Sequence, residues 1–382
     1  MSFTLKERPI FMIGAERSGT TLVMAMLGCH SRIAVPEVVW YYPRFYPYLH
    51  TYGDLSREEN FLTLAREMVF GLKTPFWGMQ VNPRTIVDEV IELAPERSFA
   101  GLYAGMHRRF AQYMNKPRWG EKTPHNLFFV GPMHNDFPNA QFIYITRDGR
   151  DSCVDYMESS FGPTNIYCAA HSWKRCWNAV KEWREPLRAK GLWMDVRYED
   201  LVRRPEEVMR GVCAFLEEDF EPGMFDFYKT DLAKARGASR DHAPLGHAVS
   251  DKYVGIHKDL LSLRDQRIFA AVAGKELEEA GYENDVQPEM PSQTLIDKYV
   301  DGRIRAATLD GFEGHIVYES YNDWLADQRE ERRKRGVWSE KDNPRVFPQG
   351  DPDEEMIIGQ RAWTCWKRHF AVKRQYVGGV VL

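Results

Sequence analysis

Arg17, Ser18, Gly19, Thr20 and Thr21 belong to a small-residue turn that opens at Gly14, between the apolar run Ile10-Phe11-Met12-Ile13 and a helical pattern carrying Val23, Met24, Met26 and Leu27. The two glycines let the backbone curl until successive N–H groups and a helix N-terminus face one anion. A phosphate group is the natural guest. In loops that hold ATP or GTP the pattern is G-x-x-x-x-G-K-[ST], its Lys reaching the β- and γ-phosphates and its hydroxyl holding Mg²⁺. Here Thr20 takes the Lys position, and the loop's own cation is Arg17. Such a loop suits a donor whose transferred group hangs from a single 5′-phosphate, with a cation beside the bridging oxygen and no obligatory metal.

Two further residues have the chemistry of a base. Glu37 lies in Val35-Pro36-Glu37-Val38-Val39-Trp40-Tyr41-Tyr42-Pro43-Arg44-Phe45, a carboxylate among aromatics. Desolvation beside such a wall raises a carboxyl pKa and prepares it to deprotonate a hydroxyl or amine. A surface Glu in a loop after Pro is the plainer reading. His125, in Trp119-Gly120-Glu121-Lys122-Thr123-Pro124-His125-Asn126, is an imidazole, the side-chain type suited to proton abstraction near neutrality. Arg147 follows the β-rich run Gln141-Phe142-Ile143-Tyr144-Ile145-Thr146, where the carboxyl edge of an open parallel sheet would meet a second phosphate.

The elements that must position these residues read as strand–turn–helix units. Leu192 to Val202, followed by Pro205 to Leu216, is another such unit: a strand, a polar turn and a Pro-initiated amphipathic helix. The expected fold is α/β, a three-layer parallel sheet flanked by helices, of the P-loop nucleotide-binding type. Residues 56 to 115 read as an inserted helical layer. Trp173, Trp177, Val180 and Trp183 share one helix face and read as core. Residues 237 to 255 are too rich in breakers for regular structure, and a loop of that length is often a lid.

The chain has 382 residues, 43% hydrophobic and 28% charged, enough apolar material for a large core. A net charge of −4 gives no support to a nucleic-acid partner. The first nine residues lack an apolar leader and no stretch is long enough to span a bilayer, so we expect no membrane partner and a cytoplasmic location. The 6 cysteines show no C-x-x-C spacing, which argues against zinc and a disulfide framework.

Arg17-Ser18-Gly19-Thr20-Thr21 resembles the 5′-phosphosulfate loop of sulfotransferases that use 3′-phosphoadenosine 5′-phosphosulfate (PAPS). Arg147 resembles the arginine by which that superfamily grips the 3′-phosphate, a contact suited to a bidentate guanidinium. Arg197-Tyr198-Glu199-Asp200-Leu201 is similar to its Arg-Tyr-Glu-Asp-Leu signature, whose Tyr lies against the nucleotide. Lys252-Tyr253-Val254-Gly255 resembles a segment that closes over the 3′-phosphate in tyrosylprotein sulfotransferases, which makes Lys252 a cofactor contact. These motifs fall in order over residues 8 to 283, in the style of the tyrosylprotein sulfotransferase-like and bacterial sulfotransferase branch. One departure stands out: the family usually has Ser eight residues after the arginine, where this chain has Asp155. Ser152 or Ser159, one helical turn to either side, would substitute.

The resemblance implies a PAPS-dependent sulfotransferase that releases adenosine 3′,5′-bisphosphate and requires no metal. Arg17 and Lys122 would stabilise the leaving phosphate oxygen. Glu37 would be the base, although aligning the loops puts Val38 at the family's catalytic Glu and Glu37 one residue earlier; without a one-residue shift, His125 takes the role. The acceptor is expected to be a small molecule with a hydroxyl or amine, held against the aromatics from Trp40 to Tyr48. Alternatives are sulfation of a peptide or protein tyrosine, a kinase-like P-loop enzyme acting on a metabolite or nucleotide, and a non-catalytic nucleotide-binding protein. Residues 1–283 would form the catalytic domain and 284–382 a C-terminal helical extension packed on it. Within the extension, Gln328 to Arg335 reads as a solvated helix end. The aromatics Trp363, Trp366 and Phe370 would wrap the core, cover the acceptor or make a homodimer contact.

Overall fold

The computed structural model describes residues 8–72, 75–159, 162–238, 240–301 and 309–343, so Trp363, Trp366 and Phe370 lie outside the described residues. Five short strands build one sheet: β1 (Ile10–Gly14), β2 (Ile33–Ala34), β3 (Arg118–Lys122), β4 (Gln141–Thr146) and β5 (Trp193–Arg197). Their order is β2-β3-β1-β4-β5. Every neighbouring pair is parallel, with Phe11 opposite Glu121 and Phe142, and Tyr144 opposite Asp195.

A parallel sheet is covered on both faces, which explains the apolar runs of β1 and β4, whereas the fully buried β3 carries Arg118, Glu121 and Lys122. Alternation along β1 sends Phe11 and Ile13 into one core with Trp119, Phe142 and Trp193. Ile10 and Met12 point into the other with Val23, Leu27, Ile143 and Val196. Each such side chain contributes roughly 1.5–3 kcal/mol of transfer free energy when fully buried. The helix Thr20–Gly28 covers the second face through Val23, Met24, Met26 and Leu27, the residues whose spacing predicts it.

The inserted layer is helical over Glu58–Phe70, Ile86–Leu93 and Phe99–Tyr113. Two expectations need correction. The tryptophans of residues 171 to 190 do not share one helix: Ile166–Ala179 ends at Val180, whose backbone starts a second helix, Lys181–Ala189. Trp173 and Trp177 stack in the core at 6.1 Å, while Trp183 caps Gly131 from the second helix. The charge run near residue 330 is only partly solvated. Arg332, near the end of the helix Leu309–Lys334, is buried; its Nη1 is 2.6 Å from the Glu67 carboxylate and its Nε donates to the Thr51 carbonyl at 3.0 Å. Glu330, Glu331, Arg333 and Lys334 form exposed pairs along the same helix.

Candidate active site

All four longer strands deliver chemistry to their carboxyl edge. β1 ends in the glycine turn, β3 ends on Lys122, and Arg147 and Tyr198 directly follow β4 and β5. This is the edge at which open α/β sheets bind ligands. It opens here into a cavity of about 520 Å³. Arg17, Gly19, Thr20, Thr21, Glu37, Lys122, His125, Arg147 and Tyr198 all line it.

The turn is set by two backbone positions in the left-handed region, Arg17 at φ 65° and Gly19 at φ 100°. The helix starting at Thr20 has no side-chain cap, so its first amides remain available to a ligand. Gly19 is required twice over, since a Cβ there would lie 2.6 Å from the Tyr198 ring. Gly19→Ala is therefore expected to lower stability by about 1–3 kcal/mol, through backbone strain and the clash together, and to weaken nucleotide binding by displacing Tyr198. Denaturant unfolding alongside calorimetric titration checks both, and unchanged values would refute the coupling of loop to tyrosine.

Arg147 is buried. Its Nη1 donates to the Arg17 carbonyl at 2.9 Å and its Nη2 to the Tyr253 carbonyl at 2.8 Å. Its guanidinium also pairs with Asp155 and stands 4.7 Å from the centre of the Tyr198 ring. Burial pushes the Tyr198 hydroxyl up to about 12. Arg17 donates through Nη1 to the Asp241 carbonyl at 2.6 Å, which ties the phosphate loop to the segment that covers the cavity.

Lys122 is buried, with Nζ 3.2 Å from Thr21 Oγ1. Burial, then the nearby Arg236 cation, pulls its ammonium down to about 7. His125 Nδ1 lies 2.7 Å from the Glu16 carboxylate, close enough for an ion pair but without hydrogen-bond alignment, and its ring is tilted by 41° against Trp40 at 4.6 Å. Burial alone would raise Glu16, but His125 and, further off, Lys122 pull it below the ordinary carboxylate value. A carboxylate that close favours the tautomer with the hydrogen on Nδ1, which leaves Nε2 as the acceptor. Glu37 faces a different partner: Arg236 Nη2 is 3.1 Å from its Oε1.

Several sequence-predicted contacts fall elsewhere. Ser18 does not line the cavity; its Oγ is buried beneath the loop with no hydrogen-bond partner among the described residues. Ser152 borders a separate small space behind the loop with Cys153, Tyr156 and Trp173. Ser159 Oγ bonds back to the Tyr156 carbonyl. Of the helix Gly149–Glu158, Asp155 and Tyr156 line the cavity, and it is Asp155 that pairs with Arg147. Lys252 is exposed, its ammonium 4.8 Å above the Tyr253 ring, and it is Tyr253 that reaches the cavity.

The aromatic wall also differs from expectation. Trp40 at φ 56° turns the chain so that its own ring lines the cavity. Tyr41, Tyr42 and Phe45 then enter the short helix Tyr41–Phe45 and are buried in the core.

Sequence reasoning missed Glu16, Arg236, Asp241 and His242. Within residues 237 to 255, expected to lack regular structure, Asp241 and His242 sit in the 3₁₀ turn Arg240–Gly246, while Arg236 precedes that stretch in the helix Asp231–Gly237. His242 is driven down to about 3 by burial, and then by Lys122, Arg236 and Arg17, so it remains neutral in a cation-rich cavity. No local pattern announces these residues; only the loop's break-rich composition does. Among the described residues no cluster of His, Cys, Asp and Glu could hold a metal ion, and no helix is long and apolar enough to cross a membrane.

Comparison with known proteins agrees with this edge chemistry. The family model described as "Sulfotransferase family" matches residues 9–222, more than half of the chain. Protein-tyrosine sulfotransferase 1 of Danio rerio is 26% identical over 240 residues, covering 61% of this chain and 60% of that protein. The protein-tyrosine sulfotransferase of Drosophila melanogaster is 29% identical over 219 residues, 56% of this chain and 38% of that protein. The chain thus spans well under two thirds of the length of these relatives. Among solved structures, the sulfotransferase domain of the Synechococcus PCC 7002 olefin synthase superposes with a TM-score of 0.51 at 17% identity, covering 74% of this chain and 98% of that one. That likeness concerns the fold.

Proposed function

The chain belongs to the sulfotransferase family, and from that premise we propose that it moves the sulfuryl group of PAPS to a hydroxyl or amine of a small-molecule acceptor. The observation that carries the reading is the meeting of Arg17, Lys122 and His125 around one cavity, at the carboxyl ends of adjacent strands. The residues present fit the donor's anionic end: a glycine turn, an uncapped helix start, the half-buried Arg17 and the buried Lys122. PAPS, when bound, supplies the sulfuryl group and leaves as adenosine 3′,5′-bisphosphate.

In this reading the turn amides and Arg17 bind the 5′ end, and Tyr198 orients the nucleotide. Lys122 places its ammonium where charge grows on the leaving oxygen. His125 Nε2 accepts the acceptor's proton while Glu16 holds Nδ1. We assign the base to His125 over Glu37 because an ion pair with Arg236 occupies the Glu37 carboxylate. Trp40, packed at a tilt against His125, gives the acceptor an apolar face. The names of the Danio and Drosophila relatives favour a second acceptor, a tyrosine on a peptide, whose phenol suits the same base.

Calorimetric titration with adenosine 3′,5′-bisphosphate and with ATP, each with and without Mg²⁺, tests the donor. We expect affinity for the bisphosphate of about micromolar order, typical of cofactor sites. Preference for ATP, with a requirement for Mg²⁺, would reject the assignment in favour of a kinase-like enzyme. Radiolabelled PAPS offered with simple phenols and amines, or with tyrosine peptides, then separates the two acceptor classes.

A further inference from the structure

Arg147 stands at one end of the cavity with most of its capacity already committed. One Nη1 hydrogen goes to the Arg17 carbonyl and one Nη2 hydrogen to the Tyr253 carbonyl. The Asp155 carboxylate takes a further Nη1 hydrogen and offsets the positive charge. The Tyr198 ring covers one face of the guanidinium. Asp155 is not shielded from a ligand: its side chain keeps 22% of its surface and lines the cavity. A dianionic phosphate drawn to Arg147 would therefore also meet a carboxylate, and the repulsion would cancel much of the attraction. A hydroxyl at the same place would find an acceptor. Dinucleotide folds divide labour in this way, with a carboxylate selecting a ribose hydroxyl and an arginine accommodating a ribose phosphate.

We infer that Asp155 is a specificity residue that weakens recognition of the nucleotide's 3′-phosphate, so that the 5′ end, held by the loop and Arg17, carries most of the binding. The inference rests on the nucleotide reading given above and deepens it. Ser152 and Ser159 do not compensate, since the first faces the space behind the loop and the second bonds its own helix.

The test compares adenosine 3′,5′-bisphosphate with adenosine 5′-monophosphate by calorimetric titration, at one pH and salt concentration, for the wild type, Asp155→Ser and the isosteric Asp155→Asn. The wild type is expected to prefer the bisphosphate by about tenfold or less, and both variants to widen that preference by about tenfold or more. The gain should come from tighter bisphosphate binding, with the monophosphate within about threefold of wild type. Wild-type preference beyond about a hundredfold, or a preference unmoved in either variant, overturns the inference while leaving the nucleotide site intact. Failure of the wild type to bind either nucleotide rejects the site assignment, and this inference with it.

Discussion

His125→Ala is expected to lower kcat by about 10³-fold with little change in the affinity for nucleotide, since removing a general base costs about 10²–10⁴. The expectation follows from position: the ring lines the cavity, packs against Trp40 and has one nitrogen 2.7 Å from the Glu16 carboxylate. Added imidazole should restore part of the lost rate, because the vacated space lies next to the acceptor. Glu16 is a positioning residue in the same scheme, acting through the imidazole. Glu16→Gln is expected to cost about tenfold in kcat in the wild type and almost nothing in the His125→Ala background, since residues that act as a unit are not additive. A structural role for Glu16 would instead give equal losses in both backgrounds. Glu37→Gln supplies the contrast. If it abolishes turnover as completely as His125→Ala, and imidazole rescues neither, the base is the carboxylate and the pairing with Arg236 must open during the reaction.

Much of this site was legible because its parts are local. The apolar run of β1, Gly14, Gly19 and the helical pattern after Thr20 specify a strand, a glycine turn and a helix within twenty residues, and the structure folds them so. Lys122, Arg147 and Tyr198 each sit at or just after the end of a strand, so parallel pairing brings them to one edge. What the sequence hid is a matter of phase and distance. Ser152 and Asp155 are three residues apart on the helix Gly149–Glu158, yet one faces the core behind the loop and the other the cavity. Periodicity alone does not say which. Neighbouring Lys252 and Tyr253 likewise point differently, and the ring was the one to reach inward. The aromatic stretch misled because hydrophobic residues after a turn are more often core than wall; the positive φ at Trp40 separates its ring from Tyr41 and Tyr42. Arg236 and Glu37 lie 199 positions apart, and no local pattern carries a contact of that range.

Lys122 should show itself in protons as well as in rate. Its ammonium, pulled down to about 7 by burial and then by Arg236, is largely neutral in the free protein at pH 8 to 9. An anionic nucleotide favours the charged form, so binding there should take up a proton. By linkage, affinity for the bisphosphate then weakens as pH rises above about 7, approaching tenfold per unit where uptake is complete. Measuring between pH 7.5 and 9 avoids the phosphates' own titration near pH 6. Calorimetry in buffers of different ionisation enthalpy reads the uptake directly. Lys122→Met is expected to remove both the uptake and the pH slope, and to lower kcat by about 10²–10³-fold, the cost of losing one donor to developing charge. Lys122→Arg, charged throughout this range, should bind without uptake and recover part of the rate. A wild type that binds with no proton uptake and a flat pH dependence would show that Lys122 is already charged in the free protein. A Lys122→Met variant that loses affinity but keeps its kcat would confine the residue to binding, leaving Arg17 to meet the charge on the leaving oxygen alone.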